Sequence, residues 1–241
     1  LSIKDREIIY STAIDSVSNK AKIIAGTGTY STSESIEITK MADSLGVDGI
    51  MIVTPYYSKP SQHGILRHFE EISKITDLPI MAYNIPGRTS TLIELETLQT
   101  LVDDIGIHSI KDAVGDFEFS KKQLELLKDK VDIYSGNDNQ TYDFVINGGV
   151  GVVSVASHVV GDEISEMISF AKDNDLEKAE EINMQLSNLF EAIFEEPSPG
   201  PIKKILSESW EEVGEPLLPI TSITPELANK IRGFYKKIKE N

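Results

Sequence analysis

Lys111 ends the apolar run Ile107-His-Ser-Ile-Lys111 and is followed by Asp-Ala-Val-Gly115. A lysine closing a buried strand, just before a glycine turn, sits where the strand ends of a parallel sheet gather around a site. An amine there can be partly desolvated, which favours its neutral, nucleophilic form. The matching chemistry is Schiff-base formation with a carbonyl substrate. Polar or reactive residues also end the neighbouring runs, at Gly26-Thr27-Gly28, Thr54-Pro-Tyr-Tyr57, Tyr83-Asn84, Ser135-Gly-Asn-Asp138 and Ser154. Taken singly, each has an ordinary structural explanation. A strand-end lysine snorkels to water, Tyr56 and Tyr57 pack as interface aromatics, and Tyr83 is a core tyrosine with a satisfied hydroxyl. Arg88 is then a surface arginine, and Asn137-Asp138 a turn or helix cap. His63, His68, His108 and His158 show no ligand spacing, so no metal site is assigned. The chain has no cysteine, which excludes disulfides, zinc-thiolate sites and a cysteine nucleophile.

The elements that must position these residues recur with a regular rhythm. Short apolar runs lie at Ile23–Thr27, Gly49–Thr54, Pro79–Tyr83, Ile107–Lys111, Val131–Ser135 and Gly151–Ala156. Each reads as a buried parallel strand, because it is short, apolar and bounded by turn residues. Amphipathic segments lie between them, for example Ser33–Leu45 and Phe117–Leu127, and a helix over Ile3–Val17 precedes the first run. Parallel strands need long crossovers, so the alternation implies an α/β fold of βα units. After Ala156 the strand signal stops. Helices are expected at Asp162–Asp173, Leu176–Phe194, Pro201 to about Glu211, and Pro225–Lys239 with Thr224 as N-cap. Both a (β/α) barrel and an open doubly wound sheet collect polar groups at strand ends. Gly26-Thr-Gly28 lacks the third glycine of a dinucleotide fingerprint.

With 241 residues, 40% of them hydrophobic, the chain can form one large domain or two small ones. Its formal net charge of −16 argues against nucleic acid or an anionic membrane as partner, but not against an anionic small substrate. No apolar run approaches membrane-spanning length. The opening residues lack a signal-peptide pattern, and a cytoplasmic location is expected.

Six segments in one order carry a resemblance: Ala25-Gly-Thr-Gly28, Val53-Thr-Pro-Tyr-Tyr57, Tyr83-Asn-Ile-Pro-Gly-Arg-Thr89, Ile110-Lys-Asp-Ala-Val-Gly115, Ser135-Gly-Asn-Asp138 and Gly149-Val-Gly-Val-Val-Ser-Val155. Together they resemble the dihydrodipicolinate synthase family, within the N-acetylneuraminate lyase superfamily of class I aldolases. The likeness runs from about Leu1 into the C-terminal helices. It implies a (β/α) TIM-type barrel, here lacking the first two of eight strands and keeping about six, plus C-terminal helices. Residues 1–160 would form the shortened barrel, and 161–241 the final barrel helix and a helical appendage.

The resemblance also implies roles. Lys111 would form the Schiff base with pyruvate, beside the proton-transfer tyrosine Tyr83. Tyr57 would be offered across a dimer interface to a neighbour's relay. Arg88 would bind the carboxylate of an anionic aldehyde such as aspartate semialdehyde. Gly136 and Val153 would line the pyruvate pocket through backbone groups. The implied reaction is condensation of pyruvate with aspartate semialdehyde in lysine biosynthesis, without metal or organic cofactor, in a homo-oligomer (dimer or tetramer). Glu34 and Tyr56 match lysine-binding positions of the family, whereas Ile3, Arg6 and Tyr30 depart from them, so weak or absent inhibition by lysine is expected.

The chain starts just after the place of the family's Gly-Thr-Thr-Gly-Glu-Ser loop, which supplies the threonine of the tyrosine relay. Impaired turnover is therefore one expectation. Exposed strand edges at Ile23 and Gly151 are another, to be covered by re-closure into a smaller barrel or by oligomerisation. Two alternatives stay open: a non-catalytic member acting as a binding or assembly module, and a sialic-acid type sugar-acid lyase. Arg88 argues against the lyase.

Overall fold

The computed structural model describes residues 1–17 and 20–240. It contains two compact units, Leu1–Tyr134 and Ser135–Asn241, with the division inside the fifth strand.

The first unit runs α1 (Ile3–Val17), β1 (Ile24–Gly26), α2 (Thr32–Leu45), β2 (Gly49–Val53), α3 (Gln62–Ser73), β3 (Ile80–Asn84), α4 (Pro86–Thr89), α5 (Leu95–Thr100), β4 (Ser109–Asp112), α6 (Phe117–Leu127) and the start of β5 (Asp132–Ser135). The helices begin where capping residues allow. Ser31 accepts the Glu34 N–H for α2, Ser61 that of Gly64 for α3, and Asp116 those of Glu118 and Phe119 for α6. Gly46, at φ 84°, ends α2 in the left-handed region. Neither α4 nor α5 is among the elements expected from the sequence: α4 has only four residues, too few to show a helical period, and α5 runs directly into a π-helical turn over Leu101–Ile105, which breaks the 3.6-residue spacing.

The second unit holds α7 (Thr141–Ile146), β6 (Gly151–Val152), α8 (Ser157–Lys172), α9 (Leu176–Ala192), α10 (Gly200–Ser209) and α11 (Pro225–Lys239). Thr224 caps α11 as expected, accepting the Leu227 N–H. The core of this unit gathers Val160, Ile164, Leu186, Leu189, Phe190 and Ile231, all buried. The strand expected over Gly151–Ala156 stops at Val152. The Asp138 carboxylate takes the N–H groups of Val155 and Ala156, both at 3.2 Å, which withdraws them from any ladder. Helix α8 then starts five residues earlier than expected, with the Ser157 N–H on Ser154 Oγ at 2.8 Å and a non-helical break at Val160.

The six strands follow sequence order in the sheet, and the pairs β1–β2, β2–β3 and β3–β4 are parallel. Strands in sequence order, alternating with helices, make an α/β fold of the TIM type. Side chains alternate between the two faces. One face of β2–β4 carries Ile50, Ile52, Ile80, Ala82 and Ile110, all buried. Among the core side chains of the same unit are Ile38, Ile65, Phe69 and Ile72, from α2 and α3. Emptying such a site, as in Phe69→Ala, costs about 3–5 kcal/mol. The other face carries Val53, Tyr83 and Lys111, all half-buried. The expected re-closure is not what meets the edge of β1. Its Gly26 carbonyl accepts Arg6 Nη1 at 3.0 Å and Tyr10 Oη at 2.7 Å, both from α1, while Ile24 stays 51% exposed.

Candidate active site

Tyr83 and Lys111 are register partners across β3 and β4, and share a face with Val53. Lys111 Nζ lies 4.0 Å from the centroid of the Tyr83 ring. At that range the ring face attracts a cation. Burial holds the Tyr83 phenol above the usual tyrosine range, and the positive charge of Arg88 opposes that rise. Arg88 itself is exposed, on the single turn α4 that leaves β3. Lys111, Tyr83 and Arg88 therefore form one electrostatic group. The expected glycine turn after the lysine is present, with Gly115 at φ 83°.

Backbone contacts fix the ends of the strands. Tyr83 O accepts both the N–H and the Oγ1–H of Thr54, each at 3.0 Å. Asn84 O accepts the Ala113 N–H at 2.9 Å. At Gly28 the chain passes so close to β2 that a Cβ would stand 2.4 Å from Val53 N, which requires glycine in Gly26-Thr-Gly28. Beside the lysine, Asp112 points to the opposite, buried face. It accepts Val114 N–H at 2.8 Å, Ser120 Oγ at 2.8 Å and Gln123 Nε2 at 3.2 Å. Burial pushes its carboxyl above the usual range, and those three donors pull it back.

Tyr57 is 92% exposed and has φ 69°, an unfavourable conformation for a tyrosine. A side chain that exposed packs against almost nothing in its own chain. Gly136 and Val153 belong to the second unit, where Ser135 joins their segments. Its carbonyl takes the Val153 N–H at 2.8 Å, and its hydroxyl donates to Asn137 O at 2.8 Å across Gly136. Asp138, expected as a turn or cap, opens a 3-10 turn. It also ties down Ser154, Val155 and Ala156. Among the described residues, no group of three or more His, Cys, Asp or Glu is placed to hold a metal ion. Likewise, no helix is long and apolar enough to cross a membrane.

In the sequence, Thr54, Asn84 and Asp112 stand out only as polar strand ends, and Asp138 as that or as a turn or helix cap. A usable signal existed for the two that end β3 and β4. Asn84 and Asp112 each follow a site-facing residue, so strand alternation turns them to the covered face, where a polar group must find partners.

The dihydrodipicolinate synthetase family model matches residues 1–238. A 4-hydroxy-tetrahydrodipicolinate synthase of Desulforudis audaxviator is 40% identical over 237 residues, which are 98% of this chain and 81% of that protein. Among solved structures, dihydrodipicolinate synthase from Cyanidioschyzon merolae with lysine bound has a TM-score of 0.96 at 37% identity, covering 99% of this chain and 82% of its own. The chloride-inhibited enzyme from Acinetobacter baumannii, complexed with pyruvate, has a TM-score of 0.95 at 33% identity, covering 99% and 82%.

Proposed function

Because this chain belongs to the dihydrodipicolinate synthetase family of aldolase-type lyases, we propose that it condenses pyruvate with aspartate semialdehyde through a Schiff base on Lys111. The observation that carries this reading is the placement of Lys111 Nζ 4.0 Å from the Tyr83 ring centroid. The neutral amine attacks the keto carbon of pyruvate, and water leaves. The resulting protonated imine is a cation, which the adjacent ring face favours as it would an ammonium. Loss of a methyl proton gives an enamine. Its carbon attacks the aldehyde carbon, and the aldehyde oxygen takes up a proton. The substrate's own amine then adds to the imine carbon, closes the ring and releases Lys111.

Tyr83, held as a neutral phenol, moves the protons. Arg88 binds the aldehyde's carboxylate, for which a guanidinium fork is suited. Gly136 and Val153 line the pyruvate pocket with backbone groups. The exposure of Tyr57 supports its donation to a neighbouring subunit, in a homo-oligomer. Residues 1–160 carry this chemistry, with 161–241 as final barrel helix and helical appendage. No organic cofactor is needed, since the lysine is the electron sink. The pathway served is lysine biosynthesis in the cytoplasm.

The test is intact-protein mass spectrometry after incubation with pyruvate and borohydride. The expected result is a gain of one reduced pyruvate, mapped to Lys111 and lost in Lys111→Ala. No gain on folded protein refutes the Schiff-base reading and favours a non-catalytic module. An adduct followed by cleavage of sugar acids, without semialdehyde condensation, refutes the substrate assignment.

A further inference from the structure

The loop that carries Arg88 leaves β3 at Asn84 and returns to it at Ile93. The Asn84 carboxamide spans that return: Nδ2 donates to Ile93 O, and Oδ1 accepts the Ile93 N–H, both at 3.0 Å and both buried. One side chain thus supplies the paired donor and acceptor of a strand neighbour. The Asn84 carbonyl meanwhile accepts the Ala113 N–H, two residues past Lys111. Asn84 therefore joins the lysine's strand end to the arginine's loop.

Inside the loop, Thr89 is buried and its Oγ1 lies 3.0 Å from Ile85 O and 2.9 Å from Thr91 O. Ser90 reverses the chain at φ 56°. On the outer side, Gln62 Nε2 donates to Leu92 O at 2.8 Å and Gln62 Oε1 accepts the Glu94 N–H at 3.2 Å. The base of the loop is thus held on both sides, while Arg88 at its tip is exposed.

We propose that Asn84 is a positioning residue for Arg88: its buried carboxamide closes the loop and so fixes where the carboxylate of the second, anionic substrate is held. This rests on the Schiff-base reading above and deepens it. Asn84 touches neither substrate. Its effect falls on the aldehyde step, since misplacing a binding group by about 1 Å can cost on the order of 100-fold in rate.

Asn84→Asp keeps the shape and the acceptor but removes the donor to Ile93 O. Two substrates allow a split that a general loss of structure would not produce. The KM for aspartate semialdehyde is expected to rise about tenfold, in line with the loss of roughly one charged-substrate contact. The pyruvate concentration that half-saturates borohydride trapping should stay within about a factor of two. Thr89→Val should shift the aldehyde KM in the same direction, and Thr89→Ser should restore it; this pair decides the matter if Asn84→Asp does not fold. An unchanged aldehyde KM, or equal changes for both substrates, overturns the proposal. Hydrogen exchange over residues 86–91 reads the clamp without turnover: faster exchange in Asn84→Asp supports it, and unchanged exchange overturns it. A wild-type protein that forms no pyruvate adduct refutes the Schiff-base reading instead, and the exchange result still decides the role of Asn84.

Discussion

Lys111 and Tyr83 face each other across a parallel strand pair, so the distance between amine and ring is set by sheet register. Two adjacent strands hold the pair without help from a flexible loop. Tyr83→Phe keeps the ring and removes the phenol. Pyruvate trapping on Lys111 is expected to persist, while condensation falls by about 100-fold or more, the usual scale for losing a proton-transfer group. Loss of trapping and condensation together would show that the phenol is needed before the imine forms.

Arg88 acts on Tyr83 as well as, in the proposed function, on the aldehyde's carboxylate. Its charge lowers a phenol pKa that burial has raised. Arg88→Gln removes the opposing influence, so the phenol should ionise at higher pH than in wild type. The alkaline limb of the rate profile is then expected to move upward, and the aldehyde KM to rise. An alkaline limb that stays in place would separate the two residues electrostatically.

His68 on α3 shares a contact of 2.9 Å between its Nδ1 and Thr32 Oγ1 at the start of α2, while its buried Nε2 has no partner among the described residues. Burial lowers its pKa to about 4 from 6.5. A folded-state pKa below the unfolded value favours the neutral ring. This stabilisation is full above pH 6.5 and is lost as pH falls toward 4. The loss amounts to roughly 3 kcal/mol at the lower end. Urea midpoints across this window should fall for wild type, and fall less steeply for His68→Phe. Parallel slopes would place the acid sensitivity elsewhere.

Lysine inhibition is expected to be weak or absent. Tyr30 stands edge-on to Tyr56 with ring centroids 5.6 Å apart, and Arg6 is engaged with the Gly26 carbonyl. Sub-millimolar lysine should leave both the melting temperature and the rate unchanged. A shift in either would show that these departures still allow the ligand to bind.

Much of the fold could be read from the sequence because its signals are local. Buried parallel strands are apolar throughout, and helices announce their ends; the expected bounds Ile3–Val17 and Pro225–Lys239 coincide with α1 and α11. The end of β6 could not be read. Val153–Ala156 is as apolar as a strand, and what stops the ladder is a carboxylate on Asp138, far back in the chain. The same holds at the site. Lys111 stood out by its type at a strand end, and Tyr83 and Arg88 entered through a shared motif. Asn84 acts through Ile93 and Ala113, contacts between segments that no local pattern records.

The carbonyl of Gly26 has a consequence for how molecules of this protein meet one another. A carbonyl oxygen has two lone pairs, and here Arg6 and Tyr10 occupy both from a single helix. A strand from another molecule seeking to lengthen the sheet at β1 would have to displace two side chains to gain one ladder bond. Its approach would be further burdened by a guanidinium at the docking line. Helix α1 thereby occupies the outward acceptor of Gly26, so a strand seeking that carbonyl meets two side chains of α1 first. Arg6→Ala/Tyr10→Ala protein should turn turbid at concentrations where the parent stays clear.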